Sequence, residues 1–139
     1  MDQLYQDRIL ALARAVRQAP ALEDATHVAT VSNPTCGDRV EIRLRVTAGA
    51  IAAVSAHVRG CALCEAGAGL LLDLAPGLGT TALTSLGDDL GEWLAGDDDI
   101  ATPQAVTAFA PVRSIRNRHK CVTLAFEAGK QALADGDQS

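Results

Sequence analysis

Aromatic residues are scarce in this chain: 3% of its 139 residues are Phe, Trp or Tyr, whereas 48% are hydrophobic. A core made from such residues must be aliphatic and rich in alanine. The length fits one compact domain, and the sequence contains no internal repeat, low-complexity segment or sign of a second domain. We therefore expect residues 1–139 to form a single domain.

Long hydrophobic runs and an excess of positive charge are also missing. No run approaches the roughly 20 apolar residues that span a bilayer, and Met1–Leu4 lacks a basic flank followed by an apolar segment. The formal net charge of −5 argues against general nucleic-acid binding. These features predict a cytoplasmic protein that has neither a membrane nor a nucleic acid as its partner.

The clearest secondary-structure pattern is an alternating one. Apolar residues occupy every second position from 40 to 46 and alternate with charged residues, which predicts a strand with one buried and one exposed face. Thr47–Gly49 predicts a hairpin turn into a second strand near 51–59, and residues 26–32 are a third candidate. We expect these strands to form an antiparallel three-stranded sheet.

Helical periodicity occupies the rest of the chain. Residues 3–18 should form an amphipathic helix with Asp2 as its N-cap, and we expect this helix to pack on the sheet. Further helices are predicted from Cys61 to the glycines at 77 and 79, over 81–95, from Thr102–Pro103 onward, and over 118–134.

The four cysteines are the most informative residues for function. In a reducing cytosol, cysteines more often bind metal or carry out thiol chemistry than form disulfides. Cys36 and Asp38 lie in the hexapeptide Asn33–Asp38, where Pro34 and Gly37 predict a tight turn. A thiolate and a carboxylate from one loop can bind the same ion, although the hexapeptide alone is equally compatible with a hairpin carrying an incidental cysteine.

Two other cysteines begin or line predicted helices. Cys61 begins a helix, where backbone N–H groups and the helix dipole favour a thiolate; the alternative is a small buried hydrophobe. Cys121 lies on the apolar stripe of the last helix, which alone is typical of a core cysteine. The basic stretch Arg116–Lys120 before it favours a lowered thiol pKa. With Arg113 this stretch forms a basic patch, either a solvated helix face or a dock for an acidic partner.

The motifs around these cysteines resemble those of a known family. Asn33–Asp38, Gly60–Ala62 and Lys120–Leu124 are similar to the three sites of the IscU/SufU/NifU N-terminal family of iron-sulfur cluster assembly proteins, and the resemblance covers roughly residues 3–134. It implies an α+β fold, in which a small three-stranded antiparallel sheet packs against about five helices. The metal ligands that it implies are Cys36, Asp38, Cys61 and Cys121.

The resemblance also implies a function. Family members bind zinc or a transient 2Fe-2S cluster, receive persulfide sulfur from a SufS/IscS-like cysteine desulfurase, and serve cluster acceptor or carrier proteins. The long segment between Cys61 and Cys121, and Lys120 immediately before Cys121, look like the SufU branch. That branch implies a zinc-dependent sulfurtransferase in which Cys36 is the catalytic sulfur acceptor. Cys121 is the alternative acceptor, in an IscU-like scaffold.

Three residues depart from the family pattern or stand beside it. Cys64 forms a C-x2-C pair with Cys61 and can supply an extra ligand, a resolving thiol or a redox pair. His119 is either a substitute ligand or a solvated residue beside the site, and Lys120 is a further accessory candidate. The alternative function is a structural zinc module that binds a partner without sulfur chemistry. A cysteine hydrolase has little support, since nothing assembles a base and an oxyanion hole.

Overall fold

A computed structural model describes residues 2–35 and 37–136. In chain order its elements are α1 (Gln3–Gln18), β1 (His27–Asn33), β2 (Asp38–Thr47), β3 (Ala50–Arg59), α2 (Ala62–Leu74), α3 (Thr80–Leu94), two 3₁₀ segments (Gln104–Ser114 and Arg116–Arg118) and α4 (His119–Gly136). The three strands form one antiparallel sheet in the order β1-β2-β3. The predicted α+β class is therefore confirmed, with the longer 3₁₀ segment as the fifth helix.

The alternating pattern predicts the sheet correctly. Val40, Ile42 and Leu44 of β2 are fully buried, while the charged residues between them are at least partly exposed. Strands β2 and β3 are joined through a two-residue turn in which Ala48 and Gly49 have φ values of 53° and 79°. Positive φ at both positions is typical of a type I′ turn, whose twist matches that of the flanking strands.

The first helix has the predicted bounds but a different partner. The Asp2 side chain accepts a hydrogen bond from the Leu4 N–H at 3.0 Å, as expected of an N-cap. We predicted that α1 packs on the sheet. In the structure α1 packs mainly on α2 and touches the sheet at β3, whereas α4 is the helix that covers β1 and β2. Gly69 makes this possible, since its missing side chain leaves room for the backbone carbonyl of Leu12.

The helix predicted from Thr102–Pro103 is a 3₁₀ segment rather than an α-helix. Pro103 occupies its N-cap position instead of its first helical position, and Pro111 lies inside it. Proline has no N–H to donate and disfavours a continuing α-helix. Four apolar residues still fix the segment to the core, because Val106, Ala108, Phe109 and Val112 are buried.

The last helix carries the predicted apolar stripe. Cys121, Leu124, Ala125, Ala128 and Ala132 are all buried, and α4 packs on β1, β2, α2 and α3. In the part of the chain that the structure describes, no helix is both long and apolar enough to cross a membrane.

Helix α2 is held against its two neighbours by glycines. A Cβ atom at Gly67 would collide with the backbone of Val122 in α4, just as one at Gly69 would collide with Leu12 in α1. By contrast, a Cβ atom at Gly91 in α3 would meet nothing within 4 Å. Substitutions at Gly67 and Gly69 therefore test close helix packing, whereas a substitution at Gly91 tests helix propensity alone.

We expect Gly67→Ala and Gly69→Ala each to lower the free energy of unfolding of the metal-free protein by about 1–3 kcal/mol, because rigid backbone must move. Gly91→Ala should raise it by about 0.5–1 kcal/mol, because alanine is the better helix former. Denaturant unfolding of the three variants measures both effects. Wild-type stability in Gly67→Ala would show that α2 and α4 are not in this close contact.

Candidate metal centre

One carboxylate and three thiols meet where a strand and two helices begin. Asp38 is the first residue of β2, Cys61 is the N-cap of α2, Cys64 lies in the first turn of α2, and Cys121 lies in the first turn of α4. One carboxylate oxygen and the three sulfur atoms all lie within 4.8 Å of one another. Asp38, Cys64 and Cys121 are buried, whereas Cys61 is half-buried.

The strand register brings the carboxylate to this point. Arg39 pairs with Arg59 across the β2–β3 ladder, so Asp38 lies beside Gly60. A Cβ atom at Gly60 would stand 2.8 Å from Asp38 Oδ1 and 3.2 Å from Cys64 Cβ. The absence of a side chain at Gly60 therefore leaves the space that Asp38 and Cys64 fill.

Burial favours the protonated form of two of the thiols, Cys64 and Cys121. Cys121 Sγ donates a hydrogen bond to Asp38 Oδ2 at 3.6 Å. Burial, followed by the charge of Cys61, raises the pKa of the Cys121 thiol to about 11. Burial, followed by the hydrogen bond to Asp38, also raises the pKa of Cys64. The prediction that the basic stretch lowers the pKa of Cys121 is therefore wrong for the metal-free site, because burial is the larger effect.

Cys61 occupies the predicted position at the start of α2. Its backbone is extended, as at an N-cap, but its side chain accepts no capping hydrogen bond from the described residues of the first turn. The expected hydrogen-bond support of a Cys61 thiolate by the helix N-terminus is therefore not formed. The sulfur faces the other members of the site instead.

A guanidinium group borders the site on the solvent side. Hydrogen bonding to Cys121, followed by the charge of Cys61, raises the pKa of the exposed Arg118. Arg113 does not belong to the same surface, since its guanidinium stacks 4.6 Å from the Trp93 ring centroid and pairs with Asp98 at 2.7 Å. The predicted basic patch therefore loses one member, and its exposed cations are Arg116, Arg118 and Lys120.

Neither accessory candidate on the last helix joins the described donors. His119 Nε2 lies 3.0 Å from the carbonyl oxygens of both Val112 and Arg113. Carbonyl oxygens only accept, so Nε2 carries the proton and is directed at the backbone rather than at an ion. His119 is thus half-buried and bonded, which corrects the interpretation as a solvated residue. Lys120 is exposed and forms no ion pair with another described residue.

Of the four ligands that the family resemblance implies, the structure brings Asp38, Cys61 and Cys121 together. Cys36 lies outside the described residues, so its predicted roles as ligand and sulfur acceptor stay predictions. Asp38 does not project from a loop as expected; it is 6% exposed and begins β2. The fourth described donor is Cys64, and the signal for it is the C-x2-C spacing, which places two thiols on one side of a helix start.

The donor set fits a thiophilic metal ion. Zinc binds sulfur at about 2.3 Å and carboxylate oxygen at about 2.0–2.2 Å in a tetrahedron, so its donors stand roughly 3–4 Å apart. The four described donor atoms are already within 4.8 Å of one another. Closing such a group around zinc needs only small side-chain movements, with loss of the thiol protons.

The fold and this centre define a small α+β domain that presents a cysteine and aspartate metal site at the junction of a sheet and two helices. The chain belongs to the family of NifU-like N terminal domains, which it matches over residues 4–87. The family predicted from the three motifs is therefore confirmed.

Individual relatives resemble the chain over most of its length. The iron-sulfur cluster assembly scaffold protein IscU of Thermotoga maritima is 28% identical over 131 residues, which cover 94% of this chain and 92% of that protein. The zinc-dependent sulfurtransferase SufU of Bacillus subtilis is 24% identical over 136 residues, covering 96% and 92%. The crystal structure of a nitrogen-fixing NifU-like protein (N-terminal) from Brucella abortus superposes with a TM-score of 0.83 at 25% identity, covering 97% and 95%.

Gly60 is the supporting residue whose structural role the sequence did not show. We expect Gly60→Ala to lower zinc affinity by about tenfold or more, as typically follows from disturbing the shell behind a metal ligand. The new methyl group must displace the Asp38 carboxylate, which is the end of a side chain and not part of the backbone frame. Because that carboxylate is buried and accepts a hydrogen bond from Cys121, the metal-free protein should also lose about 1–3 kcal/mol of unfolding free energy.

Competition with a chromophoric chelator measures the affinity, and Gly91→Ala is the matched control because its methyl group enters open space. Equal zinc affinity in Gly60→Ala and in the wild type would contradict the placement of Asp38 in the metal centre.

Proposed function

We propose that residues 1–139 act as one iron-sulfur cluster assembly domain, which holds a metal and accepts sulfur from a cysteine desulfurase. The observation that carries this proposal is the meeting of Asp38, Cys61 and Cys121 at one largely buried point. These are three of the four residues that the resemblance implies. Membership of the NifU-like N terminal domain family supports the same function, as do relatives named for cluster scaffolding and for zinc-dependent sulfur transfer.

Each residue has a distinct proposed role. Cys36, Asp38, Cys61 and Cys121 are the implied metal ligands, and Cys36 is also the proposed catalytic residue. Bound zinc would keep its cysteine ligands deprotonated and hold the starts of β2, α2 and α4 together. A 2Fe-2S cluster is cargo that the same soft donors can bind, and an oxygen ligand such as Asp38 suits later release, because it matches iron-sulfur chemistry less well than a thiolate.

The proposed sulfur transfer is an exchange between two sulfur atoms. The Cys36 thiolate attacks the outer sulfur of a persulfide on the desulfurase cysteine. A new sulfur–sulfur bond forms on Cys36 as the bond on the enzyme breaks, and the electron pair of that bond leaves with the desulfurase thiolate. The persulfide proton passes with the outer sulfur, so the products are a Cys36 persulfide and a free desulfurase thiolate.

The SufU-like mode is the one we propose, with zinc as the resident metal. The position before Cys121 is an exposed lysine, and the imidazole of His119 is turned to backbone carbonyls. Neither residue supplies the nitrogen donor expected of an IscU-type scaffold. The IscU-like alternative, with Cys121 as the sulfur acceptor, is disfavoured by the burial of Cys121 and by its raised pKa.

The partners and compartment follow from the same proposal. A SufS/IscS-like cysteine desulfurase delivers the sulfur, acceptor or carrier proteins receive the product, and the cytoplasm is the expected location. Arg118 borders the metal centre, and together with the exposed cations Arg116 and Lys120 it suits an acidic surface on a partner. The alternative of a structural zinc module without sulfur chemistry has no support among the named relatives.

We expect the zinc-loaded protein to gain one sulfur atom at Cys36 when it is incubated anaerobically with a cysteine desulfurase and cysteine. Intact mass spectrometry and peptide mapping detect and place the sulfur, and visible absorption reports any cluster once ferrous iron is added. Cys36→Ser should abolish the mass gain, since serine cannot carry a persulfide. Omission of the desulfurase is the control for non-specific sulfide adducts.

Sulfur placed on Cys121, with a coloured cluster retained on the chain, would overturn the SufU-like mode in favour of an IscU-like scaffold. A zinc-loaded protein that gains neither sulfur nor cluster would contradict the whole proposal. It would support the alternative function, a structural zinc module without sulfur chemistry.

A further inference from the structure

Two arginines stand directly opposite each other on the open face of the sheet. Arg39 of β2 and Arg59 of β3 are cross-strand neighbours at one end of the ladder, and both are exposed. We propose that this pair is a docking site for a partner protein, where the two guanidinium groups bind a carboxylate of an acidic segment. The binding does not depend on the sulfur transfer proposed above.

Two other arginines on the same face of β2 show how the fold satisfies such a residue. Arg43 Nε donates a hydrogen bond to the carbonyl oxygen of Leu22 at 2.7 Å, and Arg45 pairs with Asp24 at 2.7 Å. The Leu22 N–H also donates to Ser55 Oγ at 2.9 Å. The segment between α1 and β1 therefore lies over one half of the sheet face and neutralises the cations there.

The other half of this face is arranged differently. Among residues 2–35 and 37–136, neither the Arg39 nor the Arg59 guanidinium forms an ion pair. Like charges directly opposite each other on antiparallel strands are destabilising. An anion that lies between the two guanidinium groups would turn this repulsion into attraction, so the pair is suited to an anionic ligand from outside the fold.

A hollow in the sheet face indicates the kind of anion. This sheet-face hollow has a volume of about 200 Å³, and it is lined by Thr30, Arg39, Glu41, His57 and Arg59. Two guanidinium groups and one carboxylate leave it a formal charge of +1 when histidine is neutral. One carboxylate balances that charge, whereas a phosphate dianion would leave an excess of negative charge beside Glu41. A guanidinium group can also bind a carboxylate through two parallel hydrogen bonds.

The surroundings of the sheet-face hollow favour a segment of chain over a free small molecule. A second hollow of about 370 Å³ shares Glu41 and His57 with the first and extends to the end of α1. At that end Arg17 is already paired with Glu65 at 3.1 Å. The second hollow therefore adds length and some apolar surface for an extended segment, whose carboxylate would lie at the arginine pair.

The docking site lies at the end of the sheet that carries the metal centre. Arg39 follows Asp38, and Arg59 precedes Gly60 and Cys61. Side chains of consecutive strand residues point to opposite faces, so Asp38 is buried while Arg39 is exposed. An acidic segment bound at the sheet-face hollow would therefore hold its protein beside the metal centre.

Nuclear magnetic resonance of the isotope-labelled full chain, titrated with a capped tetraglutamate peptide, tests the proposal. The peptide should shift the backbone amide signals of the residues that line the sheet-face hollow. Its affinity should fall when sodium chloride is raised from about 20 to about 200 mM, because salt screens exposed charges. Arg39→Gln combined with Arg59→Gln should lower the affinity about tenfold, the effect of losing two exposed ion pairs.

The matched control is Arg116→Gln combined with Lys120→Gln, which removes the same charge from the other basic surface and should leave the affinity within about twofold of the wild type. An equal loss in the control would contradict the proposal, because it would show a general attraction by charge. So would a peptide that shifts no signal on the sheet face.

Two further outcomes would replace the proposed occupant. Equal shifts with inorganic phosphate at the same concentration would assign the site to a small oxyanion. Shifts that depend on protein concentration without peptide would assign it to a second copy of the chain. Urea unfolding checks the variants, and loss of the repulsion should leave the midpoint unchanged or raised. If the arginine variant does not fold, the shifts of the wild type decide.

Discussion

The buried carboxylate of Asp38 is the constraint on which the arrangement of this domain depends. A carboxylate that is 6% exposed is costly unless other groups satisfy it, and its described partners include the thiols of Cys121 and Cys64. Those thiols come from the first turns of two helices, so the starts of α4 and α2 must meet at the start of β2. Two glycines meet that requirement: Gly60 leaves room for the Asp38 carboxylate, and Gly67 permits close approach of the Val122 backbone.

The fold was predictable where one element determines its own pattern. Alternation over residues 40–46 depends on one buried sheet face, and the Asp2 cap depends on neighbouring atoms only. Prediction failed where contacts between residues far apart in the sequence determine the packing. The docking of α1 on α2 depends on the backbone approach at Gly69, which no local pattern reveals. Thr102–Pro103 resembles the start of an α-helix. The segment that follows is a 3₁₀ helix, which contains Pro111.

Three of the predicted ligands meet in the candidate site, but the chemical environment of that site was not predictable. The motifs identified Asp38, Cys61 and Cys121, and the resemblance gave them a common role. The sequence placed positive charge beside Cys121, yet could not show that burial outweighs it and raises the thiol pKa. Nor could it show that His119 turns to two backbone carbonyls. Both outcomes depend on packing between elements that lie far apart along the chain.

The central claim is that one carboxylate and three thiols close around a single zinc ion. X-ray absorption at the zinc edge of the purified, zinc-loaded protein tests it most directly. The account predicts one zinc per chain with three sulfur atoms at about 2.3 Å and one oxygen at about 2.0–2.2 Å. A shell with fewer than three sulfur atoms, or a zinc content well below one per chain, would contradict it.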